Sequence, residues 1–153
     1  GTLAHFLYDW TGRNHVVGLF VPVNESIWEH MKLVFFPMVL YSLVMIVRLR
    51  GSFPCIVPSF GFGILVGTLL VPVFYYGYTF LLGRDFFVLD IADFLLSTLV
   101  AFLLAYRFTL SCRLKGFAPV LWGVACVLFV CFMVFTYHPP DAEIFADPSA
   151  LSG

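Results

Sequence analysis

Four stretches of this 153-residue chain are each long and apolar enough to cross a lipid bilayer. A membrane-spanning helix needs about 20 predominantly apolar residues. The stretches cover residues 28–47, 56–82, 86–106 and 119–137. The composition agrees, because 61% of the residues are hydrophobic and only 11% are charged, whereas a soluble domain is about half apolar and about a quarter charged. The sequence therefore predicts an integral membrane protein.

The predicted fold is all-α, a polytopic transmembrane helical bundle with four full spans. Residues 1–8 are similar to the tail of a longer apolar segment, so we expect them to be the end of a truncated N-terminal span. Residues 9–23 are too polar and broken to cross, and we expect them to lie on the membrane surface or dip into it. We assign residues 1–140 to one domain and residues 141–153 to a polar, acidic outer tail with little structure. The net charge of −1 gives no electrostatic basis for binding nucleic acid, so membrane lipids are the expected partners.

Basic residues in the loops predict the orientation of the bundle, because Lys and Arg concentrate in cytoplasmic loops. Two loops on one side hold five basic residues, and the opposite side holds three. The larger group is Arg48, Arg50, Arg107, Arg113 and Lys115, and the smaller group is Arg13, Lys32 and Arg84. The side with five basic residues is therefore predicted to face the cytoplasm, with the protein in the cell membrane.

Acidic residues and histidines are segregated along the membrane normal. All nine acidic residues and all four histidines fall in the outer half of the predicted topology: Asp9, Glu25, Glu29, Asp85, Asp90, Asp93, Asp141, Glu143, Asp147, His5, His15, His30 and His138. Acidic residues carry little weight in the orientation rule, so this segregation is an independent observation. It predicts a polar pocket that faces the extracytoplasmic side.

The segment NESIWEHMK, residues 24–32, opens the first full span. Ser26 and Glu29 fit the S-x-x-E pattern of a capping box, in which each side chain satisfies a backbone N–H at the start of a helix. Glu29 and Lys32 are three residues apart and can pair. Capping does not account for His30, which lies about 100° around the helix from Glu29. The segment therefore predicts either a helix cap alone or a functional site that also caps the helix.

Asp90 and Asp93 lie within the first two turns of the third full span and share a helix face with Ser97. Carboxylates inside a membrane span are costly unless they are paired, protonated or hydrated, so they are candidates for function. The alternative is that Asp90 is interfacial and Asp93 bonds to a neighbouring helix. Both interpretations stay open at this point.

The remaining histidines provide candidate ligands near the same depth. His5 and Asp9 are four residues apart on one helix face, which fits a metal-bound histidine with its supporting carboxylate or a plain interfacial hydrogen bond. His138 follows the last span, and His15 lies in the loop beside Arg13, where we expect it to be solvated.

Histidine and carboxylate side chains together suit zinc, which activates a bound water as a nucleophile when one coordination position is open. The predicted metal ligands are His5, His30, Asp90 and His138, and the predicted catalytic groups are Glu29 and Asp93. A carboxylate outside the ligand set acts as general base in such a mechanism. No local H-E-x-x-H motif is present, so this prediction depends on depth and segregation rather than on spacing.

Two further patterns concern packing. Cysteines at positions 55, 112, 126 and 131 have no metal-ligand spacing, so they are interpreted as small buried apolar residues and no disulfide framework is predicted. Ser59, Gly63 and Gly67 follow one another at four-residue spacing, which lets helix backbones approach closely in lipid. This row predicts helix packing, with a homo-oligomer contact as one use of it.

HFLYDWTG, residues 5–12, and VNESIWEHMKLVFFPM, residues 23–38, resemble a group of small bacterial polytopic membrane proteins of uncharacterised function. In that group an N-E-S-x-W-E-H-x-K segment opens a membrane helix and a further helix precedes an H-F-x-Y-D-W stretch. The resemblance is strongest over residues 1–38. It singles out His5, Asp9, Asn24, Glu25, Ser26, Trp28, Glu29, His30 and Lys32. It implies an upstream helix and no particular activity.

Three function classes follow from these patterns. The first is a zinc-dependent hydrolase that acts at the outer leaflet on a lipid or lipid-linked substrate. The second is a proton- or cation-coupled transport or ion-binding protein built on Asp90, Asp93, Glu29 and Lys32, although the inner half of the bundle offers only neutral polar groups. The third is a non-catalytic membrane partner subunit. The one-sided distribution of titratable groups favours the first.

Overall fold

The computed structural model of the protein describes residues 8, 10–84 and 86–147, and its regular structure over these residues is helical. The elements are α1 (His15–Gly18), α2 (Ile27–Leu49), α3 (Ile56–Leu82), α4 (Phe87–Ser111), α5 (Ala118–Phe135) and a 3-10 turn (Glu143–Phe145). Helices α2 to α5 are each long and apolar enough to span a membrane. The predicted fold class is therefore confirmed. Residues 1–7, which carry the predicted truncated span, lie outside the described residues.

Local sequence explains where these helices begin and end. Helix α2 begins after Ser26, whose Oγ accepts the backbone N–H of Glu29 at 3.4 Å. Helix α3 ends at Leu82 and is followed by Gly83, whose φ of 71° places it in the left-handed region that glycine adopts without strain. Pro119 lies in the first turn of α5, where its missing N–H costs no helical hydrogen bond.

Helices α3 and α4 form an antiparallel hairpin with a closely packed interface. A Cβ atom added to Gly63 would lie 2.7 Å from the carbonyl oxygen of Ala101, and one added to Gly67 would lie 2.6 Å from the Cβ of Ala101. Ser59 is fully buried on the same row. The Ser59, Gly63 and Gly67 row is thus used within one chain, and it offers no surface for the predicted homo-oligomer contact. An oligomer stays a prediction that needs another surface.

Aromatic rings fill the space between α2 and α5. The Trp28 ring lies 4.7 Å from the Phe132 ring, and the Phe35 ring lies 5.2 Å from it, measured between centroids. Phe145 of the 3-10 turn also packs on Trp28, at 4.9 Å. The tail was expected to have little structure, but its described part, up to Asp147, returns to the bundle, where the partly buried Phe145 packs against the core.

Helices α4 and α5 leave most of their apolar side chains at least partly exposed. In α5 the buried residues are Ala125 and Phe132, whereas Val120, Val124 and Val127 are exposed. An apolar surface of this extent is unfavourable in water and suits contact with lipid. The chain is accordingly a multi-pass membrane protein.

Cys55 and Cys112 form a disulfide, so the prediction of four unpaired cysteines was wrong. Cys55 precedes α3 and Cys112 follows α4, and the antiparallel hairpin brings their Cα atoms to 5.2 Å across 57 residues of sequence. Local spacing could not reveal this pairing. Cys126 and Cys131 are free, and Cys126 is exposed on α5 rather than buried.

Candidate functional site

A buried ion pair lies at the end of the bundle that the sequence predicts to face outward, between α2 and the residue that follows α5. Lys32 is fully buried, and its Nζ donates to Glu29 Oε2 at 2.8 Å, to the Gly18 carbonyl at 3.2 Å and to Thr136 Oγ1. Three acceptors satisfy the three N–H bonds of an ammonium group. The predicted pairing of Glu29 with Lys32 is confirmed. We call Gly18, Val23, Glu29, Lys32 and Thr136 the outer lock.

The carboxylate of Glu29 is also fully engaged. Besides Lys32, its Oε2 accepts the backbone N–H of Val23 at 3.0 Å, and its Oε1 lies 3.4 Å from Thr136 Oγ1. Half of the predicted capping box is therefore wrong, because the N–H of Ser26 is bound by Asn24 Oδ1 at 3.0 Å instead of by Glu29. Glu29 turns away from the cap because the buried Lys32 is the stronger partner.

The outer lock holds the segment before α2 against the bundle. Gly18 lies so close to its neighbours that an added Cβ would be 2.6 Å from Tyr137 Oη and 2.7 Å from Val23 Cγ1. Tyr137 Oη donates to the His15 carbonyl at 2.7 Å. Burial, and then the nearby charges, raise the pKa of Tyr137, so this hydroxyl keeps its proton and stays a donor. The segment expected at the surface is thus packed onto the ends of α2 and α5.

His30 faces a different direction from Glu29. Its Nδ1 lies 3.0 Å from the Ser26 carbonyl, and its Nε2 lies 3.7 Å from Glu25 Oε2. The His30 side chain is 27% exposed. The contacts of His30 with the Ser26 carbonyl and with Glu25 are thus separate from the hydrogen bonds of Glu29, and a shared site for the two side chains stays a prediction.

A second polar group lies on α4, and we call Asp90, Asp93 and Ser97 the α4 carboxylate row. Tyr78 of α3 donates a hydrogen bond to Asp90 Oδ1. Asp93 is 7% exposed, and its Oδ1 accepts the hydroxyl of Ser97 at 3.0 Å. In the part of the chain that the structure describes, no Lys, Arg or His lies within ion-pair distance of Asp93.

The predicted zinc ligands do not come together in residues 10–84 and 86–147. Asp90 is bound by Tyr78, and His138 is exposed beyond the end of α5. Within those ranges no group of three or more His, Cys, Asp or Glu side chains is placed to hold a metal. His5 lies outside the described residues. The zinc site therefore stays a prediction that the described geometry does not support.

Sequence reasoning missed several partners of these groups. Gly18 and Thr136 belong to the outer lock, and Lys32 and Thr136 are 104 residues apart in the chain. Thr136 is a single threonine at the end of the last apolar stretch, and this position was only a weak indication of a buried polar contact. Tyr78 was not among the candidate residues predicted from the sequence. No sequence signal indicated that its hydroxyl reaches Asp90.

A model of a protein family described as a family of unknown function, DUF6512, matches residues 1–152. The chain belongs to this family. No curated protein and no solved structure matches the chain. The match covers the whole chain, whereas the resemblance seen in the sequence was strongest over residues 1–38. A bacterial origin and the N-E-S-x-W-E-H-x-K signature of the group stay predictions.

Proposed function

We propose that this member of DUF6512 is a transport or ion-binding protein of the cell membrane in which Asp93 binds a proton or a small cation. The observation that supports this most is the burial of Asp93 inside α4 with a neutral hydroxyl as its hydrogen-bond partner. A carboxylate in the hydrocarbon region is costly by several kcal/mol unless it is paired, protonated or hydrated. Because the described residues place no cationic side chain against Asp93, an exchangeable proton or cation is the natural partner.

Glu29 is a poorer candidate for this role. Its carboxylate is held by Lys32 at 2.8 Å and by the Val23 N–H at 3.0 Å. Loss of either charge of a buried pair leaves the other uncompensated, at a cost of about 3–5 kcal/mol. Exchange of a ligand at Glu29 would therefore require the outer lock to break, whereas exchange at Asp93 would not.

Asp90 provides the approach to Asp93 from the outer end. The two residues are three apart on α4 and share a face, and Asp90 is nearer the helix start and half-buried. The Tyr78 hydroxyl holds Asp90 in place. In the proposed mechanism a proton or cation is first attracted to Asp90 and then passes to Asp93, from the extracytoplasmic side.

Neutral hydroxyls continue deeper in the bundle. Ser97 is fully buried below Asp93, and Thr98 follows it on α4. Thr68 follows Gly67, the residue that packs on the Ser97 backbone. The hydroxyls of Thr68 and Thr98 are buried and have no hydrogen-bond partner within the described part of the chain. Hydroxyl groups both donate and accept, so this arrangement favours a proton over a larger ion as the coupled species.

A hydrophobic carbodiimide tests the proposal, since it reacts with protonated carboxyl groups that lie in lipid. We expect mass spectrometry of the protein in liposomes to find the adduct on Asp93, with less adduct as the pH rises. The adduct should be absent from Asp93→Asn and unchanged in Asp141→Asn, which alters an exposed acid. Equal reaction at Asp141 and Asp93, or reaction at Glu29 alone, would reject Asp93 as the binding group.

The same preparation distinguishes the zinc-dependent hydrolase. Elemental analysis of wild type, His30→Ala and His138→Ala measures whether zinc is bound and whether it depends on these histidines. Stoichiometric zinc that both variants lose, together with an unreactive Asp93, would replace the transport proposal by the hydrolase. A reactive Asp93 and zinc below stoichiometry would support transport.

A further inference from the structure

Two rows of small and polar residues face each other along the α3–α4 hairpin. The α3 row is Cys55, Ser59, Gly63 and Gly67, and the α4 row is Asp93, Ser97, Ala101 and Ala105, each at four-residue spacing. Gly67 packs on Ser97 and Ala101, and Gly63 packs on Ala101 and Ala105. We call these eight residues the α3–α4 seam. Asp93 lies in its outer part, and the Gly–Ala contacts close it below.

The Cys55–Cys112 disulfide closes the seam at its basic end. At the outer end the two helices are joined by the chain itself, through the turn that begins at Gly83. The hairpin is therefore covalently fixed at both ends. If the disulfide is reduced, the basic end is held by packing alone.

The surroundings of this disulfide set its redox compartment. The basic end of the bundle carries Arg48, Arg50, Arg107, Arg113 and Lys115, all exposed, and no acidic residue of the sequence lies in its loops. Such an excess marks a cytoplasmic face. Structural disulfides persist in oxidising compartments, whereas cytoplasmic disulfides are usually transient, catalytic or redox-sensing. A disulfide at this face is therefore expected to be transient, catalytic or redox-sensing rather than structural.

We propose that Cys55 and Cys112 are a redox-active pair that exchanges with cytoplasmic thiols of the glutathione class and controls the basic end of the α3–α4 seam. Cys55 is 2% exposed and Cys112 is partly exposed, so Cys112 is the sulfur that a thiol can reach. The neighbouring Arg113 attracts a thiol that carries net negative charge. Reduced, the pair permits the cytoplasmic ends of α3 and α4 to separate.

The exchange is balanced by two thiols. A thiolate attacks the Cys112 sulfur, the Cys55–Cys112 bond breaks, and Cys55 leaves as a thiolate that takes up a proton. A second thiolate attacks the sulfur of the bound thiol in the mixed disulfide and releases Cys112. The two thiols are oxidised to one disulfide, and their two electrons reduce the protein. Oxidation is the reverse, with the disulfide form of the same thiol as oxidant.

Gating of the Asp93 site follows from this pair, and that step alone rests on the proposed function. Asp93 belongs to the seam that the disulfide closes at its basic end, so separation of the helices at Ala101 and Ala105 would open a route from Asp93 to the cytoplasm. The oxidised protein would bind its proton or cation from outside but not pass it on. Redox exchange and helix separation do not depend on Asp93 and are tested without it.

The first experiment measures the redox state of the Cys55–Cys112 pair and the side of the membrane on which the pair lies. Protein in membranes is equilibrated with buffers of reduced and oxidised glutathione and then treated with a maleimide that adds mass to free thiols. In a Cys126→Ser/Cys131→Ser background the remaining thiols belong to the pair. We expect the bond to open and close across cytoplasmic ratios, and an impermeant maleimide to label the reduced pair only after lysis. A pair that stays bonded in every ratio, never bonds, or is labelled in intact cells would overturn the proposal.

The second experiment measures helix separation by hydrogen exchange with mass spectrometry. Reduction should raise backbone exchange at least threefold in the basic ends of α3 and α4, residues 56–67 and 101–111, and leave α5 unchanged. The Cys55→Ser/Cys112→Ser variant should exchange like reduced protein under oxidising conditions. Equal exchange in the two redox states would show that the bond controls nothing. If exchange rises but Asp93 does not react with carbodiimide, the redox pair stands and the proposed function fails.

Discussion

The outer lock and the α4 carboxylate row place acidic side chains inside the same end of one bundle, but they neutralise them differently. Glu29 of the outer lock is 2% exposed and has a lysine, a backbone N–H and a threonine around its two oxygens. Asp93 is 7% exposed and has one serine hydroxyl. Nothing in the described part of the chain supplies Asp93 with a positive charge.

This difference separates structure from function within one set of titratable residues. A network in which every polar group is hydrogen-bonded stabilises a contact and leaves no donor or acceptor free to bind a ligand. A buried acid with one neutral partner is unfavourable for folding unless something else binds it. Most of the N-E-S-x-W-E-H-x-K residues have a structural role, since they cap α2, pack on α5 or form the outer lock. Function is better sought on α4.

The largest effect is expected from Lys32→Ala. This change leaves the Glu29 carboxylate buried without its cation, and we expect the free energy of unfolding in detergent to fall by about 3–5 kcal/mol. The double variant Glu29→Gln/Lys32→Met removes both charges and should lose less. Lys115→Ala, on the exposed basic end, is the control. A loss at Lys32 no larger than at Lys115 would contradict the outer lock.

A smaller loss is expected from Gly67→Ala in the α3–α4 seam. The new methyl group would lie 2.6 Å from the Cβ of Ala101, so we expect a loss of about 1–3 kcal/mol by thermal unfolding. Gly77→Ala lies on the same helix with nothing within 4 Å of the added Cβ, and it should keep or slightly raise stability. Equal effects of the two changes would mean that the seam does not require glycine.

Ser26→Ala tests the helix start beneath the outer lock. The variant loses the hydrogen bond to the Glu29 N–H, and we expect a loss of about 1 kcal/mol. Ser52→Ala, in the exposed turn after α2, is the matched control and should be neutral. Circular dichroism during thermal unfolding measures both. If Ser26→Ala is as neutral as Ser52→Ala, the cap contributes nothing.

The smallest effect on stability, and the sharpest test of the comparison, is expected from Asp93→Asn. Asparagine keeps the shape and the bond to Ser97 while it removes an acid that has no counter-ion among the described residues, so the free energy of unfolding should change by less than about 1 kcal/mol. Glu29→Gln, the same chemical change in the outer lock, should cost several times more because Lys32 loses its counter-ion. Similar losses of stability in the two variants would contradict the distinction between the outer lock and the α4 carboxylate row.

Local features of the sequence were sufficient for part of the candidate site. Ser26 as the N-cap of α2 and the pairing of Glu29 with Lys32 are contacts within one turn, so spacing along a helix was enough to predict them. The zinc set failed to assemble among the described residues for the opposite reason. Similar depth in a bundle does not place two side chains on facing helices, and His30 turns toward Glu25.

The sequence by itself determined the four spans, the start of α2 and the concentration of acidic residues at one end of the bundle. These features depend on the length of apolar stretches and on spacing between residues that are close in the chain. Only the tertiary structure decided that Thr136 reaches Lys32, that Cys55 bonds to Cys112, and that Asp93 has no counter-ion among the described residues. The physical reason is that lipid is as apolar as the side chains it surrounds, so hydrophobicity does not mark which helix faces pack together. Shape, small residues and a few buried polar contacts select the partners, and those contacts join residues far apart in the chain.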